Sequence, residues 1–193
     1  MLSRIGLFAS LPLLALASTA FAGNARLDAL FNNQPIGPVS NICYARHYDK
    51  AHLASHPKQN VTAMLVYFSK KKSDEGSVYY QFDGQVKFRD SKKAFTFDGD
   101  CNRDKPGEDV HCGIDCDGGG FNVGAKDDKS IEVKIGDGGI GLHDAEGDTP
   151  LGSKGFQDDD ETFLLQQTDL KDCLPVIYDD DVKAAVKKGT VTQ

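Results

Sequence analysis

Beyond residue 22 the sequence has no apolar run long enough to cross a membrane as a helix. It has no excess of positive charge either: Lys and Arg number 22 against 29 Asp and Glu, a net charge of −7. A surface of that sign repels phosphate backbones, so no nucleic-acid partner is expected. No Gly-x-Ser-x-Gly elbow occurs, and no cysteine and histidine share a supporting context, so no catalytic residue is named. No low-complexity linker divides the chain.

The first 22 residues differ from all that follows. MLSRIGLFASLPLLALASTAFA carries Arg4, then a short apolar run, then Ala20-Phe21-Ala22. That is the layout of a secretory signal peptide cut after Ala22. Residues 23–193 are expected as one mature domain in the periplasm or extracellular space. Without Arg4 its net charge becomes about −8. The residue directly after the cut is Gly23, not cysteine, so no lipid anchor to a membrane is indicated.

What is present in abundance is alternation. From Ser77 to Asp90, Val78, Tyr80, Phe82, Val86 and Phe88 share one parity; Tyr79, Gln81, Asp83, Gln85, Lys87 and Arg89 share the other. Only a strand sorts two such sets onto opposite faces. Phe95, Phe97 and Cys101 repeat the pattern, followed by Val110, Cys112, Ile114 and Cys116, then Phe121, Val123 and Ala125. Ile131, Val133 and Ile135 continue it, as do Ile140 and Leu142. Further strands are expected at Ile42–Tyr48, Asn60–Ser69 and Glu161–Gln167. Both parities of Asn60–Ser69 are apolar, so both its faces should be covered, the outer one by a terminal helix.

Short helices are expected at Asn24–Asn33, with Leu27, Leu30 and Phe31 on one side, and after Asp179-Asp180-Asp181. There VKAAVKK ends in lysines and Gly189 follows. The expected fold is all-β: an antiparallel meander of eight or nine strands closed into an up-and-down barrel, because closure removes exposed edges. A two-sheet sandwich is the alternative.

Three turns set the expected registers. Asp137-Gly138 reads as a hairpin placing Ile135 opposite Ile140 and Val133 opposite Leu142. A Gly118-Gly119 turn places Cys116 opposite Phe121, Ile114 opposite Val123 and Cys112 opposite Ala125. A turn at Ser91-Lys92 sets Phe88 against Phe95, Val86 against Phe97 and Gly84 against Gly99. Facing strand glycines mark a bend, or a place where something approaches the backbone. Gly84 and Gly99, with Tyr80, Phe82 and Phe97, are therefore the candidate ligand-binding residues for a small apolar molecule inside the barrel.

Five cysteines in an oxidising compartment imply disulfides and one thiol left over. Cys101 and Cys112 fall on inward faces of neighbouring strands and are candidates to bridge across the Asn102–Glu108 loop. Cys43 with Cys173 would tie the first strand to the C-terminal segment, leaving Cys116 as the odd one; connectivity stays open at this point. Cys112-x3-Cys116 lacks the second pair that a zinc site would need.

In CYARHYDKAHLASHPKQNV (Cys43–Val61), Asp49 suits the cap of a helical turn, with Leu53 inward and Pro57 after its end. His52 and His56 stand four apart, so one helix side carries both imidazoles; they are the candidate ligands of a divalent metal. His47, His111 and His143 are open as a third ligand. Asp83, expected across from Asp100, could join other acidic groups around calcium, although Asp115-Cys-Asp117-Gly-Gly fails the EF-hand pattern. No other cofactor is indicated.

The run Cys-Tyr-x-Arg-x-Tyr-Asp-x-x-His-Leu-x-x-His-Pro-x-Gln, with CGIDCDGGGF at Cys112–Phe121, resembles a family of short exported bacterial proteins of unassigned activity. The resemblance spans most of the mature chain. It implies a periplasmic location and transfers no functional residue.

Two function classes follow. One is a non-enzymatic binding or interaction protein for an unknown small molecule or protein, including an inhibitor of a secreted hydrolase. The other is a metal-binding protein or metal-dependent enzyme centred on His52 and His56. Tryptophan is absent, which removes the aromatic that lipocalin-like barrels commonly place near their first strand. Binding is expected over catalysis.

Overall fold

The computed structural model describes residues 28–31, 40–102, 109–114, 118–144, 155–156 and 158–191. The expected signal peptide at 1–22, most of the Asn24–Asn33 helix, Cys116, Asp115 and Asp117 lie outside the described residues.

The strands in chain order are β1 (Ser40–His47), β2 (Val61–Lys72), β3 (Val78–Phe88), β4 (Ala94–Asn102), β5 (Val110–Ile114), β6 (Gly119–Asp127), β7 (Ser130–Ile140), β8 (His143–Asp144) and β9 (Thr162–Thr168). Each long strand pairs antiparallel with the next, and β9 pairs with both β7 and β1. Eight strands thus close into an antiparallel barrel, with β8 as an extra pairing on β4. The expected barrel is what forms.

Alternation fills it. Met64, Val66 and Phe68 of β2 join Phe82, Val86 and Phe88 of β3, Phe121 and Val123 of β6, and Phe163 and Leu165 of β9 in one buried core. Side chains of this size each contribute about 1.5–3 kcal/mol by leaving water. Rings run along the interior in layers. Phe82 meets Phe121 edge-on at 4.9 Å in the middle, and Phe88 contacts Phe95 and Phe156 at 5.6 and 5.5 Å towards one end.

β2 is covered on its outer face too, as its two apolar parities require. Cys43 and Tyr67 pack there against Leu170, Val176, Ile177 and Val186 of the C-terminal segment. That segment contains a 3-10 turn (Leu170–Cys173) and a helix, Asp180–Lys188, while a shorter helix, Lys50–Ser55, joins β1 to β2. In chain order these helices are α2 and α1. Asp179 caps α2 by accepting from the N–H groups of Asp181 and Val182, both at 3.1 Å, and Gly189 ends it at φ 69°. Both expected disulfides form. Cys43–Cys173 fastens the C-terminal layer to β1 with Cα atoms 5.9 Å apart, and Cys101–Cys112 crosslinks β4 to β5 at 4.0 Å.

Three expected registers are corrected. Val86 lies opposite Phe95, which places Gly84 opposite Phe97 and Gly99 opposite Phe82. The glycines do not face each other: a methyl group at Gly84 would overlap the Phe97 ring, and one at Gly99 would strike the Gly113 carbonyl, so neither glycine leaves open space. Cys112 lies opposite Phe121 rather than Ala125, and Val110 opposite Val123. Both slips are even, so every side chain keeps its face.

The third correction concerns Asp137-Gly138, which does not reverse the chain. β7 runs through to Ile140 and stays on β6, where Phe121 faces Ile135 and Gly119 faces Ile140. Residues 136–139 lie opposite Gly120 alone, as a bulge of four residues against one. It closes because glycines lie on both sides. A methyl group at Gly119 would strike the Gly139 carbonyl, and the Gly141 N–H donates to the Gly118 carbonyl at 2.6 Å. The reversal that starts β7 comes earlier, where Asp127 pairs with Ser130 and its side chain accepts from the Lys129 N–H at 2.8 Å.

Candidate functional site

The inward parity of β2 continues from Met64, Val66 and Phe68 to Lys70, which is only 6% exposed. A lysine at a core position needs an anionic partner, since a lone buried ammonium is too costly. The partner comes from outside the strands. Residues Asp28–Phe31 form a short turn seated in this end of the barrel, and Asp28 makes an ion pair with the Lys70 ammonium. Tyr80 Oη donates to the same Asp28 oxygen at 2.9 Å.

A third inward donor, Tyr44 Oη, reaches the Leu30 carbonyl at 2.6 Å. Burial, with a smaller contribution from Asp127, raises the Tyr44 pKa, so the hydroxyl keeps its proton. Leu30 and Phe31 belong to the barrel core, and Phe31 lies against Tyr80 at 5.8 Å between ring centres. A crevice of about 160 Å³ runs beside the turn, lined by Ala29, Asp109, Val110, Val123, Gly124 and Ala125.

Of the expected ligand residues, Tyr80 lies at this end and takes part in the network. Phe82 and Phe97 lie deeper, packed on Phe121, with the space at Gly84 filled by the Phe97 ring and that at Gly99 by the Gly113 carbonyl. Lys70, Tyr44 and Asp28 were not expected. The signal for Lys70 was available: it sits on the core parity of an otherwise apolar strand face.

His52, on α1, and His56, at its C-cap, do come together; Asp49 caps the first turn by accepting from the His52 N–H at 2.7 Å. Their rings stack face to face, 4.2 Å apart and 15° from parallel, and Tyr48 stacks on His52 at 4.6 Å. Nitrogen lone pairs lie in the ring plane, so nearly parallel stacked rings do not aim at a common ion. His52 Nε2 is bonded to Gln59 Oε1, and His56 Nδ1 to the His52 carbonyl, each at 2.9 Å. Leu53 is only half-buried.

On the outer surface, β2, β3, β4 and the start of α2 enclose a groove of about 230 Å³ with Tyr67, Lys71, Asp83, Asp98, Asp100 and Tyr178 in its lining. Asp83 faces Asp98 in the observed register, not Asp100. Burial first and Asp98 second push the Asp83 carboxyl up to about 7, against the pull of Lys71. Among the described residues no three His, Cys, Asp or Glu side chains stand together as metal ligands.

The chain matches no protein-family model, no curated protein and no solved structure.

Proposed function

We propose that this chain is an exported, non-enzymatic binding protein that receives a small apolar ligand in the barrel end occupied by Asp28–Phe31. The observation that carries the reading is how that end is closed. Among the described residues a short turn, not a strand, closes it, with contacts to the side chains of Tyr44, Lys70 and Tyr80. A segment held in this way can open without breaking a strand ladder, at a fraction of the global unfolding free energy. Beneath it lies an aromatic interior suited to apolar molecules. Two disulfides suit an oxidising compartment, and no described helix is long and apolar enough to cross a membrane.

Native, non-reduced mass spectrometry of protein purified from its own compartment tests the reading, alongside titration with the apolar fluorophore 1-anilinonaphthalene. The expected result is a retained apolar molecule, or saturable fluorophore binding that protects the folded state. Bare chain mass with no saturable binding overturns it.

A further inference from the structure

We infer that Asp137 is a site of spontaneous backbone modification: its carboxyl closes on the Gly138 amide, and the ring reopens to an isoaspartyl linkage. The same dipeptide at Asp83-Gly84 and Asp98-Gly99 stays unchanged in the folded protein. The reaction is independent of what the barrel receives.

Its only co-reactant is water. The Gly138 nitrogen attacks Cγ of Asp137; an N–Cγ bond forms, a carboxyl C–O bond breaks, and the hydroxyl of the protonated carboxyl leaves with the amide proton as water. The product is a cyclic imide, a succinimide. Water then adds to one of its two carbonyl carbons. Opening at the main-chain carbonyl carbon of Asp137 leaves the chain running through Cγ, an isoaspartyl residue; opening at Cγ restores aspartate. One water leaves and one returns, so nothing is oxidised or reduced. Glycine in second place favours closure because no Cβ stands in the path of the carboxyl.

The three described pairs are alike in sequence, and the fold separates them. Closure requires the main chain to rotate at the aspartate until Cγ lies against the next nitrogen, which a ladder held on both sides forbids. Asp83 faces Asp98 across β3 and β4, while β2 holds Asp83 and Gly84 on the other side through Tyr67 and Val66. Gly99 lies between Phe82 of β3 and Ile114 of β5. Among the described residues, Asp137 and Gly138 have no such pairs: the register on β6 skips from Ile135 to Ile140, and β9 ends its pairing with β7 at Lys134. Both residues are exposed, and a methyl group added at Gly138 would have its nearest non-adjacent neighbour, the Gly119 Cα, at 3.7 Å.

Ionisation alone would select a different site. Burial, with Asp98 second, holds the Asp83 carboxyl up to about 7, so at neutral pH it carries the proton that closure needs more often than an ordinary aspartate. Two-sided pairing opposes that advantage, since Asp83 reacts only when the ladder opens. Residues in the bulge need no such opening.

The test keeps purified, disulfide-bonded protein near neutral pH at body temperature for several weeks. Digestion at acid pH and electron-transfer fragmentation then separate aspartate from isoaspartate at each site. Isoaspartate should accumulate at Asp137 at least about tenfold faster than at Asp83 or Asp98, as an opening equilibrium on the latter two predicts. In the reduced chain unfolded in guanidinium chloride, the three rates should come within about threefold of one another, because only local sequence then differs. Gly138→Ala should slow the reaction at Asp137 about tenfold, with thermal unfolding showing that the fold is kept. Equal rates at the three sites of the folded protein, or fastest reaction at Asp83, would overturn the assignment. So would the absence of isoaspartate at Asp137 in the folded protein, whatever the unfolded chain does. An unchanged rate in Gly138→Ala would overturn the succinimide route.

Discussion

Carboxylates from outside the strands close both ends of the barrel, but they hold different partners. At the end where β2 begins, Asp160 is buried and its two oxygens accept the backbone N–H groups of Asn60 and Val61 at 2.8 and 3.1 Å. Asn60 extends that network, donating to the Gly155 carbonyl at 2.8 Å, while Phe156 packs between Phe88 and Phe163. At the end where β2 finishes, Asp28 holds the tips of Lys70 and Tyr80. Backbone N–H groups in a ladder have fixed positions, and water cannot replace a lost acceptor inside the fold. A lysine tip can follow its partner or turn to solvent. The first closure is therefore structural, and the second is exchangeable.

The largest expected effect tests this directly. Phe163→Ala, within β9, should cost about 4 kcal/mol in urea unfolding, the usual loss for a buried phenylalanine in a ladder. Phe31→Ala should cost less than half of that, because the loss cannot exceed the free energy of seating the turn. Equal losses would break the comparison. Asp160→Ala should cost about 3 kcal/mol by stranding two buried N–H groups, and Asp160→Asn less, since one oxygen remains.

Between the two ends, Gly84→Ala probes the shared aromatic layer. The added methyl must displace the Phe97 ring, for a loss of about 2 kcal/mol by thermal unfolding. The smallest effect concerns a third carboxylate, Asp83, which faces Asp98. Its carboxyl titrates at about 7 in the folded protein, above the ordinary value for an unfolded chain. The folded state thus binds the proton more tightly, and stability falls as pH rises from about 4 through about 7. Asp83→Asn should be neutral at acid pH and stabilising by about 1 kcal/mol in mildly alkaline buffer, after allowance for partial exposure. A pH-independent difference would show that the pair carries no such penalty.

Much of this architecture was legible before any tertiary contact was considered. The inward and outward sets of β3, the doubly covered β2, the caps of α2 and the short Cys101–Cys112 crosslink follow from local pattern, which the neighbouring strands leave unchanged. Lys70 was legible as well, by the same parity, although its partner was not. Asp28 lies 42 residues away along the chain from Lys70, and no periodicity joins them.

The chain's alternation by itself determined which side chains face inward, because a period of two survives any even slip between strands. Only the tertiary structure decided how far each strand slips, and with it whether glycine meets glycine or a phenylalanine ring. That choice depends on filling one closed interior with all eight strands at once. It also turned Asp137-Gly138 into a bulge: a flexible pair allows either a reversal or a loop, and the glycine backbone of the adjacent strand, close enough to bond, selected the loop.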